Sequence, residues 1–174
     1  MNLVLLASYV LHVVSGTFWV GAVLYVAAAI MPVATEDALS PGAFETTMDR
    51  LLTITRWTGV ALPLTGVYQL WVLYPTTRLL GTSRGYLVLA MLGLWTIMNG
   101  LVEAGIYRIR EAAGSAPGVL AYLTAGLAVD GGLGNANVGE VAAAGQGYLR
   151  VAALFGIGLL VDAGVLASGI PLPS

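Results

Sequence analysis

Long apolar stretches, broken by short polar clusters, dominate this chain. Four of them, 3–31, 51–74, 86–107 and 148–169, reach the about 20 residues that an α-helix needs to cross the hydrocarbon core of a bilayer. Pro32 with the acidic Glu36 and Asp37 follows the first, Pro75 the second, Arg108-Ile109-Arg110 the third, and Pro171 and Pro173 the fourth. A proline just past a helix end is a stop signal, because it cannot continue the hydrogen-bond ladder. Tyr74, Tyr86, Tyr107 and Tyr148 stand near these ends, as expected for rings that bridge oil and water at a membrane interface. The pattern predicts an all-α integral membrane protein, one domain folded as a four-transmembrane-helix bundle with the lipid bilayer around it. Ala152 with Gly156, Gly100 with Ala104, and Ala163 with Ala167 are each four apart, the spacing that lets helices approach closely in lipid.

The connections differ in kind. The first, 33–50, is polar, with Ser40-Pro41-Gly42 as a turn, and the second, 75–85, is short. The third, 108–147, holds an apolar run at 119–129 that is too short to span. It reads as an extra short interfacial or re-entrant helix between the third and fourth spans, an amphipathic helix lying on the bilayer being the simpler form. Asp130-Gly131-Gly132-Leu133-Gly134-Asn135-Ala136-Asn137 follows as a flexible tract. It is not a phosphate loop, since no Gly-Lys-Ser/Thr follows, and it has no EF-hand pattern. The first apolar run has no basic residue before it and exceeds the length of a signal-peptide core, so it is expected to stay as a helix. Arg50, Arg108 and Arg110 lie in the first and third connections, with Arg56 and Arg150 just inside the adjoining helices, against Arg78 and Arg84 in the second. Arg excess marks the cytoplasmic side. The bias predicts a multi-pass protein of the cell membrane with both termini outside.

Composition agrees with a lipid setting. Of 174 residues, 58% are hydrophobic and 9% charged, where a soluble domain carries about 25% charged residues; the mean hydropathy is +0.88. A net charge of −2 offers nothing to nucleic acid. The absence of cysteine excludes disulfides, thiolate metal sites and cysteine nucleophiles. There is no His-Glu-x-x-His and no Gly-x-Ser-x-Gly, and a single histidine cannot supply two haem ligands from one copy. The several intramembrane acids of a proton pump are missing as well. The balance leans away from an enzyme, and no catalytic residue is assigned.

Ionisable groups within spans are costly and mark functional candidates. Here they are His12, Arg56, Glu103 and Asp162, with Asn99 as a neutral fifth. Counting the helical rise places His12 and Asp162 in the outer halves of their helices, about 7 and 5 Å from the midpoints. Tyr68 and Gln69 reach a similar level. Ser8, His12, Ser15, Gly16 and Trp19 share one side of the first helix. His12 either binds a metal or cofactor, with Asp162 orienting its ring and Tyr68, Gln69 or a methionine completing the shell, or simply hydrogen-bonds Asp162. Arg56 and Glu103 fall in the inner halves and are expected to approach one another, although Arg56 is also placed to snorkel to the interface. Thr96, Asn99, Glu103 and Tyr107 share a side of the third helix, and Arg56, Gly59, Pro63 and Gly66 line up on the second. Met91 and Met98 read as packing residues before copper ligands.

Leu11-His12-Val13 followed by Phe18-Trp19-Val20-Gly21-Ala22 resembles the opening helix of the CopD-like copper resistance and uptake membrane proteins. There a Leu-His pair precedes a Trp-x-Gly-Gly pattern; here Ala22 replaces the second glycine. The HemJ-like membrane proteins open similarly and also use four helices. Asp49-Arg50-Leu51, Arg56 and Gly66 resemble the second helix of that wider group, so the likeness covers residues 11–110. The CopD-like resemblance implies copper handling or transport, with His12 as the matching histidine and Trp19 and Gly21 as matching packing residues; imidazole and thioether suit Cu(I). The HemJ-like resemblance implies protoporphyrinogen oxidation with a haem or porphyrin cofactor. Against it, the first helix ends Ile30-Met31-Pro32 without that group's basic residue and second histidine, and no Asn-Glu-x-Pro leads into the fourth. A third reading is a non-catalytic helical subunit, as a homo-oligomer or with a membrane-complex partner.

Overall fold

The computed structural model describes residues 2–125, 132–134 and 136–170. Among the described residues there is helix and no strand. α1 (Leu3–Tyr25) continues through a π-helical turn (Val26–Ile30) into α2 (Met31–Thr35). α3 (Pro41–Leu73), α4 (Thr76–Gly81), α5 (Ser83–Ala112), α6 (Val119–Thr124) and α7 (Val138–Ala167) follow. Leu3–Thr35, Ser83–Ala112 and Val138–Ala167 are each long and apolar enough to cross a membrane, which is compatible with a multi-pass membrane protein. α3 is as long but less apolar, because Arg56, Gln69 and the threonines Thr53, Thr55, Thr58 and Thr65 interrupt it from Leu51 onward. The fourth span expected at 51–74 is thus a helix, without the apolarity of the other three.

The helices overrun the expected spans, for reasons visible at their ends. The first does not stop at Pro32. Proline cannot donate to the carbonyl one turn back, and the turn before it widens: the Met31 amide bonds the Val26 carbonyl five residues back. That π-bulge lets the helix run on to Thr35. Ser40-Pro41-Gly42 is the start of α3 instead of a free turn. Ser40 Oγ accepts the Ala43 amide at 3.3 Å, and Pro41 occupies the first helical position, where a missing N–H costs nothing. α7 begins ten residues early, capped by Asn137, whose Oδ1 accepts the Glu140 amide at 3.0 Å. The second connection holds α4. In the third, α6 covers the start of the apolar run, while the remainder of that run at 126–129 and Asp130, Gly131 and Asn135 of the glycine tract lie outside the described residues, as do Pro171 and Pro173.

Contacts set the four rods side by side, each antiparallel to its neighbours. Ser8 and His12 of α1 meet Gln69 and Thr65 of α3; Arg56 of α3 meets Glu103 of α5. Gly156 of α7 lies against Met98 of α5 and Val20 of α1. α5 and α7 pack most closely. A Cβ added at Gly145 would stand 2.6 Å from Ile109 Cγ1 and 2.7 Å from the Gly105 carbonyl, a distance only glycine permits. Of the three expected small-residue pairs, Ala152 and Gly156 serve this core, whereas Gly100, Ala163 and Ala167 face outward. The core runs through Trp19, Val23 and Met31, Leu51 and Leu52, Met98, Val102 and Ile106, and Leu149 and Ala152. Large apolar side chains also cover the outside: Trp71 is 83% exposed and Leu64 67%. An apolar exterior around a packed core is what lipid solvation asks of a bundle, because only the inner seam needs partners.

Candidate functional site

Helix α3 carries polar groups on two flanks. Toward α1, Ser8, His12 and Gly16 present one stripe at four-residue spacing, and Leu62, Thr65, Gly66 and Gln69 answer it. Gln69 Nε2 donates to the Ser8 carbonyl and to Ser8 Oγ, both at 3.2 Å. The edge of the half-buried His12 ring lies over Gly66, whose own Cβ would stand 3.4 Å from His12 Cε1. His12 Nδ1 and Thr65 Oγ1 are 2.7 Å apart. The hydroxyl has a single proton, and it is directed at the Ala61 carbonyl at 2.7 Å. Assigned from this network, Thr65 accepts and the imidazole donates from Nδ1. The Leu62 carbonyl is a second hydrogen-bond partner of the ring.

The expected bond between His12 and Asp162 is not formed. Helical geometry separates them: Ser8, His12 and Gly16 turn toward α3, while Ser15, Trp19 and Val23 turn into the bundle. Asp162 lies on the core-facing side of α7, 7% exposed. Neither of its carboxylate oxygens has a hydrogen-bond partner, and the indole nitrogens of Trp19 and Trp95 are likewise unpartnered. The two indoles stand 6.3 Å apart. Tyr68 is half-buried and makes no hydrogen bond among the described residues. Met98 packs against Gly156 in the core. Among the described residues no group of three His, Cys, Asp or Glu could hold a metal ion.

Toward α5, α3 is joined by charge. Arg56 Nε and Nη2 donate to Glu103 Oε1 and Oε2, both at 3.0 Å, the bidentate geometry that makes such pairs strong. Nearer the C-terminal end of α5, the buried Arg110 meets Asp49 at 2.7 Å. The short α6 docks on the first pair. Tyr122, 2% exposed, lies edge-on to Tyr107 at 5.2 Å and beneath the Arg56 guanidinium at 5.0 Å. Its carbonyl accepts from Arg56 Nη2 at 3.3 Å and its hydroxyl donates to the Glu103 carbonyl at 3.4 Å. Burial pushes the Tyr122 phenol well above its ordinary range, so it remains a neutral donor. Beside the pair, α3 and α5 diverge around a cavity of about 560 Å³ lined by Thr55, Arg56, Trp57, Gly59, Val60, Asn99, Glu103 and Leu123.

The polar line expected along α3 therefore splits. Arg56 and Gly59 face α5, while Gly66 faces α1, since steps of three, four and three residues drift around a helix of 3.6 residues per turn. Tyr122 is the partner of the Arg56–Glu103 pair that no sequence feature marked; one tyrosine in a short apolar run looks like an interfacial anchor. Thr65 was equally hidden among the many threonines that bond back to their own helix. No protein-family model, curated protein or solved structure matches the chain.

Proposed function

We propose that this chain is a four-span protein of the cell membrane that handles a soft metal ion, copper foremost, through His12. Three helices have the required length and apolarity. α3 is proposed as the fourth span because its outward face, with Trp57, Val60, Leu64, Val67 and Trp71 all more than half exposed, is apolar, and its charge is neutralised by Glu103. The distribution of arginine supports both termini outside, and the contacts of Tyr122 support an α6 that dips from the inner surface toward the Arg56–Glu103 pair.

One observation carries the metal reading: the hydrogen bond that anchors His12 Nδ1 on Thr65, with Nε2 as the nitrogen that would take the metal. A partner on one ring nitrogen is how proteins fix the tautomer and orientation of a metal-binding histidine. A lone imidazole holds copper weakly, which suits an ion in passage better than a stored one. The same nitrogen would serve as an axial haem ligand, so the HemJ-like reading stays as the second. Metal analysis and an absorption spectrum on one detergent-purified sample, loaded with Cu(I), test both. The proposal expects saturable copper at up to one ion per chain, lost in His12→Ala and weakened in Thr65→Val. Copper retained in His12→Ala overturns the site. A Soret band lost with His12 replaces copper by haem.

A further inference from the structure

The cavity between α3 and α5 has a polar floor and an apolar mouth. At the mouth Trp57, Val60 and Leu123 are 60%, 53% and 63% exposed. On the floor, Arg56 and Glu103 hold one another through two bonds and Thr55 bonds back to the Leu52 carbonyl. Asn99 is different. Its carboxamide is half-buried, lines the cavity, and has no partner among the described residues. Gly59 lies beside it: a Cβ there would stand 3.6 Å from Asn99 Oδ1, in van der Waals contact. A volume of about 560 Å³ is the size of a small-molecule site.

We propose that this cleft is a lateral binding site for an uncharged, hydroxyl-bearing amphiphile that enters from the bilayer and bonds Asn99. The selectivity follows from charge. Arg56 and Glu103 cancel, so an anionic head would face the carboxylate and a cationic head the guanidinium, each competing with an existing bidentate pair. A hydroxyl disturbs neither: it donates to Asn99 Oδ1 and accepts from Asn99 Nδ2, satisfying an amide that apolar surroundings leave unpaired. The alkyl body then lies along Trp57, Val60 and Leu123. This site rests on α3 lying in the bilayer and is independent of a metal at His12.

The test uses the full chain in phosphatidylcholine nanodiscs with three diazirine-bearing probes: hexadecanol, hexadecanoic acid and hexadecylamine. The alcohol should label the segment 57–60 and Leu123 saturably and be displaced by unlabelled hexadecanol, with the acid and the amine at least tenfold weaker. Asn99→Leu should cut the saturable labelling about tenfold, and Gly59→Leu, which fills the floor and spares Asn99, should do the same. Labelling that rises linearly with probe, that is equal for the three heads, or that survives both substitutions in folded protein overturns the proposal. A chain that does not enter nanodiscs fails the four-span reading instead.

Discussion

The two flanks of α3 use polar groups in opposite ways. Against α1 the groups are neutral and small: Ser8, Thr65, Gln69 and one imidazole, with Gly16 and Gly66 between them, so the helices close on each other. Against α5 they are charged and long, and the gap is spanned by Arg56 and Glu103 and floored by α6. In lipid, where apolar attraction between helices is weak, close backbone packing and hydrogen bonds are the two available adhesives. The α1 flank uses both; the α5 flank uses one strong pair and leaves a cleft. A satisfied pair has little capacity left for a ligand, which is why the proposed chemistry of each flank is placed at His12 on one side and at Asn99 on the other.

Breaking the ionic flank should have the largest effect. Arg56→Ala or Glu103→Ala leaves a partly buried charge without its partner and should cost about 3–5 kcal/mol, whereas Arg56→Met with Glu103→Leu should fall near the wild type. Chemical unfolding in detergent reads both; single variants as stable as the parent would mean the pair is solvated. Next comes the seat of α6. Tyr122→Ala should cost about 3 kcal/mol, at the low end for truncating a large buried aromatic, with faster amide exchange at Val119–Thr124. Tyr122→Phe should lose only about 1 kcal/mol for one hydrogen bond. If Tyr122→Ala leaves exchange in α6 unchanged, the short helix is held by something else.

Asp162 of α7 extends the contrast. Its carboxylate is buried and unpartnered, so Asp162→Leu, which removes the polar group, should stabilise the fold by about 1–3 kcal/mol, the desolvation cost of an unpaired polar group. A loss of stability would reveal a bound cation or another partner at that carboxylate. The smallest effect belongs to the neutral flank: Thr65→Val should cost about 1 kcal/mol. Its value lies in the histidine, whose ring would lose the partner that fixes its tautomer.

Much of this was legible in the chain. Period and length located all four rods, and equal depth paired Arg56 with Glu103, because antiparallel neighbours map depth onward from one end. Helix ends were read too early where polar residues extend a rod beyond its apolar part: Ser40-Pro41 and Asn137 are capping signals that an apolar window passes over. Depth also suggested Asp162 for His12, and there it failed. Depth says nothing of azimuth, and a step of three or four residues decides whether a side chain turns toward α3 or into the core. Thr65 lies on the correct face but has the same local signature as threonines that only bond their own helix.

The chain has a single histidine, so the central claim can be read from one signal. Selective 15N labelling of histidine, with the protein in nanodiscs, reports the two ring nitrogens of His12 directly. The expected result is a neutral ring protonated at Nδ1, with Nε2 unprotonated, and a shift of the Nε2 resonance alone when Cu(I) is added. A ring protonated at Nε2, with neither resonance responding to Cu(I), would contradict it.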